Sequence, residues 1–438
     1  MFSFLKHIIP KKKKQGYYFI HIPKTAGTSF INLIDACVNE DEIFPYQLWH
    51  QINQETVNDK QKYCLLRGHF GGGSYKLLCE ENPHRLTILR HPQSLSISTY
   101  HFIKREKNTA VHDLVKNKEM DIQAFLEEPL TAMKINNRMV RHLSFDLQED
   151  PEAQELFLSN QSIRVVKNWI KTPKKINNKQ RLHRAKKALD ECSWFGIQEK
   201  FDQSMQLFAY TFKRPAIGET PYLNAHNPDQ EIDNYCKELI AIQNQDDLIL
   251  YHYALDIFNQ RYATMCNQLK NQFSDDHLSI DEMIDRHYQE AKHCISENAC
   301  VYNFGMALLG NGWHRRELAQ PENTFFRWTC NNKASIDFWL KPRDYLLKIR
   351  IINAVSLAHL TQLDIRINNI SIPYEYNVQE GVVRVVSALI SGSVIKNNLL
   401  RIQFYQLENL CHREVFNSDD TRNLGIAVNW IRIRPCQK

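Results

Sequence analysis

A short apolar strand candidate that runs into a glycine-containing loop and an amphipathic helix constrains this fold more than any other feature. Residues 17 to 22, YYFIHI, form the candidate strand. The residues after the loop place apolar side chains on one helical stripe, at Phe30, Leu33, Ile34, Cys37 and Val38. A strand followed at once by a helix is the repeating unit of α/β folds with a parallel sheet.

Short apolar runs and longer helical patterns continue to alternate as far as about residue 271. A second strand is predicted over residues 85 to 90, RLTILR. Further helices are predicted over residues 122 to 146, 180 to 191 and 233 to 271. We therefore predict that residues 17 to 271 form an α/β domain in which helices flank a parallel sheet.

The hydrophobic period changes to two in the C-terminal part of the chain. Leu363, Ile365 and Ile367 alternate with polar residues, and so do Leu400, Ile402 and Phe404. This pattern, with turn signals such as Asn397-Asn398, predicts an all-β accessory domain of sandwich or jelly-roll type over residues 299 to 438. A helical linker is predicted over residues 272 to 298, with a capping box from Ser279 to Glu282.

Composition limits the class of protein. The 438 residues are 43% hydrophobic and 24% charged, which is ordinary globular usage. The net charge of +6 is mild, so we predict no nucleic-acid partner. The 11 cysteines are odd in number and contain no C-x-x-C pair, which favours reduced thiols and a cytoplasmic protein. The sequence does not predict the oligomeric state.

The N-terminal segment, residues 1 to 16, is basic. Lys11 to Lys14 follow an apolar patch, which is the reverse of the order in a signal peptide. We interpret the segment as a solvated terminus. The alternative is a peripheral contact with an anionic membrane, in which Phe2, Phe4 and Leu5 would be the apolar anchors.

The loop after the first strand, HIPKTAGTS, predicts an anion site. Backbone N–H groups and the positive end of the helix point toward whatever lies in front of such a turn, and Lys24 adds a cation. Gly27 permits a close backbone approach to a ligand. Three hydroxyl residues are predicted to donate to the anion and to cap the helix: Thr25, Thr28 and Ser29. The lysine precedes the glycine, unlike in the nucleotide-binding G-x-x-x-x-G-K-[ST] loop, which disfavours a metal–triphosphate site.

Two further sequence features predict a second anion site and a general base in the same region. Arg90 ends the second strand candidate, and Ser98 follows on the next helix, so a guanidinium and a hydroxyl predict a second anion site beside the first. His69 lies in the glycine-rich segment GHFGGG and is the candidate general base for an acceptor hydroxyl.

The motifs around these residues resemble a known family. IHIPKTAGTSF and LRHPQSLSISTYHF are similar to the two nucleotide-binding signatures of family 2 sulfotransferases, the group related to heparan sulfate 2-O-sulfotransferase, in its bacterial type. Later segments of the family are matched in order by residues 195 to 208, 221 to 228 and 246 to 258. Asn136, Asn137, Arg138 and Arg141, in NNRMVRHL, also resemble a family segment, with a solvated helix face as the alternative interpretation.

The resemblance implies a P-loop-like α/β fold that binds the co-substrate 3′-phosphoadenosine 5′-phosphosulfate and requires no metal. It implies transfer of the sulfuryl group to a hydroxyl, usually on a carbohydrate or glycolipid. By position, the 5′-phosphosulfate would be held by Lys24, Thr25, Gly27, Thr28 and Ser29, and the 3′-phosphate by Arg90 and Ser98. Lys24 would stabilise the leaving group and His69 would be the catalytic base. The chain departs from the family pattern at His91 and Leu95, where many members have aspartate and arginine.

Two other functions stay open at this point. The same strand-loop-helix also occurs in nucleoside-triphosphate-dependent kinases, which would need magnesium. A non-catalytic glycan-binding protein with a degenerate transferase domain is the second alternative, motivated by Leu95 and the large β part. Three tryptophans of that part are interpreted as core residues, with sugar stacking as the alternative: Trp313, Trp328 and Trp339.

Overall fold

The computed structural model describes most of the chain. The described residues are 15–148, 150, 160–167, 176–217, 232–274, 277–297 and 299–436. The basic segment predicted over residues 1 to 16 lies outside them apart from its last two residues, and the family-like segment 221–228 lies outside them entirely.

The chain forms two compact units, each assembled from three stretches of sequence. The first comprises Met1–Thr25, Glu42–Glu199 and Asn227–Leu255. The second comprises Ala26–Asp41, Lys200–His226 and Asp256–Lys438. The linear division predicted from the sequence, into 1–16, 17–271, 272–298 and 299–438, stays a prediction.

The first unit contains a parallel sheet of four strands, as predicted. The strands are β1 (Tyr17–Ile20), β2 (Leu65–Gly68), β3 (His84–Leu89) and β4 (Trp194–Ile197), in the spatial order β2-β1-β3-β4. Almost every residue of the sheet is buried, which explains why its strands read as continuous apolar runs. Ile20 is paired with Gly68 on one side and Thr87 on the other, so the carboxyl ends of three strands lie side by side.

Helices surround this sheet and are shorter than the sequence predicts. Their bounds, in chain order through both units, are α1 Gly27–Asp35, α2 Gln54–Asn58, α3 Tyr75–Leu78, α4 Pro92–Arg105, α5 His112–Asn117, α6 Ile122–Glu127, α7 Pro129–Ala132, α8 Arg138–Ser144, α9 Asn160–Val166, α10 Asn178–Asp190, α11 Phe201–Thr211, α12 Asn234–Gln243, α13 Gln245–Phe273, α14 Ile280–Glu290, α15 Leu357–Thr361 and α16 His412–Phe416.

Two long helices of the prediction are wrong in their continuity. The stretch 122–146 contains α6, α7 and α8, because Pro129 starts a new helix and Asn137 has a left-handed backbone, with φ of 43°. The stretch 233–271 is divided at Asn244, whose non-helical backbone ends α12. A continuous amphipathic pattern does not reveal such breaks, since the apolar residues on both sides still face the same core.

The second unit holds the antiparallel sheets of the C-terminal part. The strands are β5 Cys300–Asn303, β6 Glu317–Ala319, β7 Thr324–Trp328, β8 Lys333–Trp339, β9 Tyr345–Ala354, β10 Asp364–Ile367, β11 Ile370–Ser371, β12 Glu375–Glu380, β13 Val383–Ile390, β14 Leu399–Tyr405, β15 Leu410–Cys411, β16 Asn423–Leu424 and β17 Ile426–Pro435. A four-stranded sheet has the order β11-β10-β14-β8, and a larger one has the order β12-β13-β9-β17-β7-β6 with β5 also paired to β17. Side chains of both sheets, such as Ile402 and Ile349, belong to one apolar core.

Other predictions for this part are confirmed. Asn397 and Asn398 have positive φ, as expected of turn residues, and Ser279 forms the capping box with Glu282 at the start of α14. Trp328 and Trp339 are buried, in line with their interpretation as core residues, whereas Trp313 is half-buried.

Helix α1 belongs to the second unit and is held there by a side chain of the β part. Arg316 donates hydrogen bonds to the carbonyl oxygens of Asp35 and Val38, at the C-terminal end of α1. Phe30 of the same helix packs edge to face against Phe208 of α11, with ring centroids 5.3 Å apart. A cation at the negative end of a helix is favourable, so Arg316 both ends and stabilises α1.

Candidate active site

The loop after β1 has the backbone shape of an anion-binding turn. Lys24 and Ala26 both have left-handed backbones, with φ of 71° and 64°. Alternation of left-handed and other residues turns successive N–H groups toward one point, which is the geometry of an anion-binding nest. Helix α1 then begins at Gly27, directly along the chain.

The predicted capping of α1 by hydroxyl residues is wrong. The N-cap is Ala26, and no side chain in the described part of the protein caps the helix. The Thr25 side chain is fully buried, and its hydroxyl donates to the Ile22 carbonyl at 2.8 Å, inside the loop. Thr28 is exposed and Ser29 half-buried on the first turn. The first N–H groups of α1 are thus left for an external acceptor.

Arg90 joins the end of β3 to this loop. Its Nη1 atom donates to the carbonyl oxygen of Lys24 at 3.0 Å. Its Nε atom is buried and has no hydrogen-bond partner among the described residues. Burial lowers the pKa of the guanidinium. Arg90 therefore fixes the loop with one nitrogen and keeps another donor for an anionic ligand.

The Lys24 side chain lies among other cations. Its Nζ atom is 4.4 Å from the centroid of the Phe102 ring. Burial, followed by the positive charges of Arg105 and Arg90, lowers the pKa of Lys24 to about 8. A cluster of cations that depress one another's pKa values is suited to a ligand with several negative charges, which would reverse the repulsion.

His69 follows β2 and has its tautomer set by the neighbouring strand end. Its Nδ1 atom lies 2.7 Å from the carbonyl oxygen of His21. A carbonyl only accepts, so Nδ1 carries the proton and the lone pair is on Nε2. Burial lowers the pKa of His69 to about 4. The imidazole is therefore neutral at neutral pH and can accept a proton at Nε2.

The glycines after His69 fix its segment on the end of α8. Gly72 N–H donates to the His142 carbonyl at 2.7 Å, and Gly73 N–H donates to the Phe145 carbonyl at 2.7 Å. A Cβ atom on Gly72 would lie 2.2 Å from the Leu143 carbonyl oxygen, so no other residue fits without a shift. The glycine-rich sequence is explained by this close backbone contact.

Arg138 and His142 are functional candidates that were not among the site residues predicted from the sequence. Arg138 Nη1 donates to the Thr99 hydroxyl at 3.1 Å. Burial, followed by the charge of Arg141, lowers the pKa of Arg138 to about 9. His142 Nδ1 lies 2.9 Å from the Arg138 carbonyl oxygen, and burial with the Arg138 charge holds its pKa well below the usual value. The segment NNRMVRHL gave the signal; Asn136 is exposed, whereas Arg138 and Arg141 are half-buried.

An aspartate orients this segment from α13. Asp247 accepts hydrogen bonds from the backbone N–H groups of Met139 at 2.9 Å and Val140 at 2.7 Å, at the start of α8. Asn137 is also linked to α13, because its side-chain oxygen accepts a hydrogen bond from the Asp247 N–H at 3.0 Å. One residue of the family-like segment 246–258, Asp247, thus has a structural role as a cap of α8.

Leu95, one of the two departures from the family pattern, has a structural explanation. Leu95 is 1% exposed and belongs to the core of the first unit, where an arginine would need a charged partner. The His91 N–H donates to Glu199 at 2.8 Å, and Tyr251 donates its hydroxyl proton to the same carboxylate at 3.1 Å. Ser98 lies half-buried on α4, two turns after Pro92.

Metal ligation and membrane insertion find no support in the described ranges. They contain no cluster of three or more histidine, cysteine, aspartate or glutamate side chains that would ligate a metal ion. Within the same ranges, no helix has the length and apolar character needed to cross a membrane.

Comparison with known proteins gives partial matches. No family model matches the chain. The chain is 27% identical over 209 residues to heparan-sulfate 6-O-sulfotransferase 2 of Gallus gallus, covering 43% of this chain and 48% of that protein. The Homo sapiens and Mus musculus proteins of the same name are 26% identical, and the match covers 32% and 31% of them. The chain thus spans less than half the length of these curated relatives.

A solved structure also aligns with part of the chain. It is the C-terminal CBM6 of LamC, a marine laminarinase from Zobellia galactanivorans, with 14% identity over 31% of this chain and 99% of that one. The TM-score is 0.21, too low to indicate a common fold. The sequence matches are the informative comparison: the chain is similar to heparan-sulfate sulfotransferases over 43% of its length.

Proposed function

We propose that the chain is a sulfotransferase of P-loop-like α/β architecture. It moves the sulfuryl group of 3′-phosphoadenosine 5′-phosphosulfate to a hydroxyl group of a carbohydrate or glycolipid, by in-line transfer and without a metal. The observation that carries the proposal is the hydrogen bond from Arg90 to the Lys24 carbonyl, because it joins the ends of β1 and β3. A nucleotide with anionic groups at two ends needs two adjacent cationic sites of this kind.

The residues present fit the anionic donor. In the described part of the chain, the Nε atom of Arg90 has no hydrogen-bond partner and the first N–H groups of α1 have no side-chain cap. The Lys24 ammonium lies near the cations Arg90, Arg105 and Arg138. We assign Lys24, Thr25, Gly27, Thr28 and Ser29 to the 5′-phosphosulfate. Thr25 would contribute its backbone N–H, because its hydroxyl is bonded to Ile22. Arg90 and Ser98 are assigned to the 3′-phosphate.

The proposed transfer needs a hydrogen-bond donor for the leaving oxygen and a base for the attacking hydroxyl. The Lys24 ammonium donates to the bridging oxygen on which negative charge builds as the sulfur–oxygen bond breaks. The His69 Nε2 atom accepts the proton of the attacking hydroxyl, which is possible because Nδ1 is bonded to the His21 carbonyl. Arg138, one of the cations that lower the pKa of Lys24, adds positive charge for the transferred group.

The sulfuryl acceptor is proposed as a class of molecule and not as a single compound. The sequence motifs resemble the 2-O-sulfotransferase group of bacterial type, whereas the curated matches are 6-O-sulfotransferases, so we propose transfer to a carbohydrate hydroxyl without assigning its ring position. We also propose a cytoplasmic location, which the 11 unbridged cysteines support. A peripheral membrane contact would involve the N-terminal residues that lie outside the described part.

The direct test is transfer of labelled sulfate from the donor to a panel of desulfated glycans, with mass detection of one added sulfo group. Lys24→Ala and His69→Ala should each lower kcat by about 10²- to 10³-fold. Lys62→Ala and His50→Ala are matched controls, since both side chains are exposed. Transfer that persists undiminished in Lys24→Ala would contradict the assignment.

The kinase alternative is separated by nucleotide preference. A kinase should be stabilised more by ATP with magnesium than by adenosine 3′,5′-bisphosphate, whereas the proposed enzyme should show the reverse order in a thermal-shift comparison. Binding of the bisphosphate without any transfer to the glycan panel would favour the non-catalytic alternative.

A further inference from the structure

A second cationic pocket lies wholly within the second unit and is unrelated to the strand-end loop. It is a cavity of about 120 Å³ between α1 and the β part. One wall is apolar, with Leu33 and Pro215 among its residues, and Trp313 adds an aromatic face. This volume is comparable with engineered cavities of about 150 Å³ that hold a molecule of the size of benzene.

Arg327 is the feature of the pocket that needs an explanation. The residue is 1% exposed, and it lines the cavity. Its Nη1 atom donates to the His314 carbonyl at 2.8 Å, but Nε and Nη2 have no hydrogen-bond partner among the described residues. Burial, followed by the nearby charge of Arg316, lowers the pKa of Arg327 to about 10, so it stays protonated at neutral pH. A buried cation with two unsatisfied donors costs several kcal/mol.

The rest of the lining is also positive. Arg214 and Arg315 line the same cavity, and the described residues of the lining include no aspartate or glutamate. Two carboxylates of the second unit lie close by: Asp35 pairs with Arg315 of the lining at 3.2 Å, and Glu40 lies 3.3 Å from Arg316. Arg214 and Arg327 have no ion pair with a described carboxylate, so the described lining keeps an excess of positive charge.

We propose that this pocket binds a small molecule that carries an oxyanion, in the form of a sulfate, phosphate or carboxylate group, with Arg327 as its main ligand. A planar guanidinium with two adjacent free N–H groups matches two oxygens of such a group. Arg315 is half exposed and lines the same pocket. The apolar wall accommodates a body of a few carbon atoms beside the charged group.

The pocket shares a helix with the proposed donor site. Ser29 and Asn32 of α1 contribute to its lining, and α1 begins at Gly27. A ligand in the pocket therefore contacts the helix that follows the phosphosulfate loop. The proposal of an oxyanion site does not depend on the proposed function, since neither Arg327 nor Arg315 is assigned to the phosphosulfate donor.

The test is a titration of the full chain with sodium sulfate, phosphate and acetate at constant ionic strength, with chloride as the balancing ion and thermal unfolding as the readout. The donor site also attracts anions, so each titration is run in the Lys24→Ala background. We expect at least one oxyanion to raise Tm there, and the substitution Arg327→Met to weaken its apparent affinity tenfold or more. Arg432→Met is the matched control, because Arg432 is an exposed arginine of the second unit that does not line the cavity.

Two further measurements keep the test decisive. If Arg327→Met fails to fold, Arg315→Gln replaces it, with an expected loss of several-fold in affinity. A crystal of the wild-type protein soaked in selenate should show anomalous density within hydrogen-bonding distance of Arg327 Nε or Nη2. The absence of selenate at Arg327, or equal anion affinities in the wild type, Arg327→Met and Arg432→Met forms, would overturn the proposal.

Discussion

The Nδ1 atom of His69, which follows β2, lies 2.7 Å from the carbonyl oxygen of His21, which follows β1. This contact places the imidazole proton of His69 on Nδ1. The two rings are also in contact, with centroids 4.3 Å apart. The proposed base is thus fixed before any substrate binds, which would reduce the reorganisation needed during the proposed reaction.

The first prediction concerns pH. His69, with a pKa lowered to about 4, must be neutral to act as a base, so activity requires a pH above that value. Lys24, with a pKa lowered to about 8, must be protonated, so kcat/KM should fall as the pH rises above that value. A pH profile of kcat/KM for the donor should show a plateau between these limits. The basic limb should disappear or move in Lys24→Arg, and an unmoved limb would assign it to another group.

The second prediction uses the left-handed backbone of Lys24. Because φ is 71° there, Lys24→Gly should be more stable to unfolding than Lys24→Ala, by about 1 kcal/mol. Both variants lose the ammonium, so both should lose activity to the same extent. Urea unfolding and sulfate transfer measure the two effects separately. Equal stabilities of the two variants would show that the backbone of the loop is not as described.

The third prediction concerns nucleotide selectivity. Removal of the guanidinium in Arg90→Ala should weaken the binding of adenosine 3′,5′-bisphosphate by about tenfold to a hundredfold, the usual range for a charged hydrogen bond. Binding of adenosine 5′-phosphate should change less, because it lacks the 3′-phosphate. Calorimetric titration gives both constants. Arg85→Ala is the control, since Arg85 lies on the same strand and is paired with Glu191. Equal losses for both nucleotides would place Arg90 elsewhere than at the 3′-phosphate.

The fourth prediction concerns Asp247. Asp247→Ala removes the acceptor of two backbone N–H groups at the start of α8 and should lower the free energy of unfolding by about 1–3 kcal/mol. Asp246→Ala is the adjacent control and should cost less, because the Asp246 side chain is not fully buried. Denaturant unfolding distinguishes them, and an Asp247→Ala protein as stable as the control would argue against the capping role.

The parts of the fold that could be predicted from the sequence are those with a local signal. The strand at 17–22 and the change to period two after residue 299 are both carried by the apolar pattern, and the structure has β1 and the antiparallel sheets there. The breaks at Pro129 and Asn137 could not be placed, because a helical period continues across them.

In the candidate site, too, the sequence predicts the residues that have a local signal and misses those placed by long-range contacts. Lys24 and Arg90 follow strand ends that the sequence marks clearly, and the structure brings them into contact. Arg138 and His142 reach the region through α8, whose position is set by Asp247, more than 100 residues later in the chain. A single sequence contains no signal for such a long-range hydrogen bond. The orphaned donors of Arg327 are likewise visible only after folding, when the strands bury an arginine that reads as an ordinary surface residue.

The bonds from Arg316 to the end of α1 matter for anyone who shortens or recombines this chain. A truncated protein that stops at residue 298 would keep the loop after β1 but lose the arginine that binds the C-terminal end of the helix behind it. Domain-swap chimaeras face the same constraint: residues 26–41 and the C-terminal β part have to be exchanged together, as one interdependent piece.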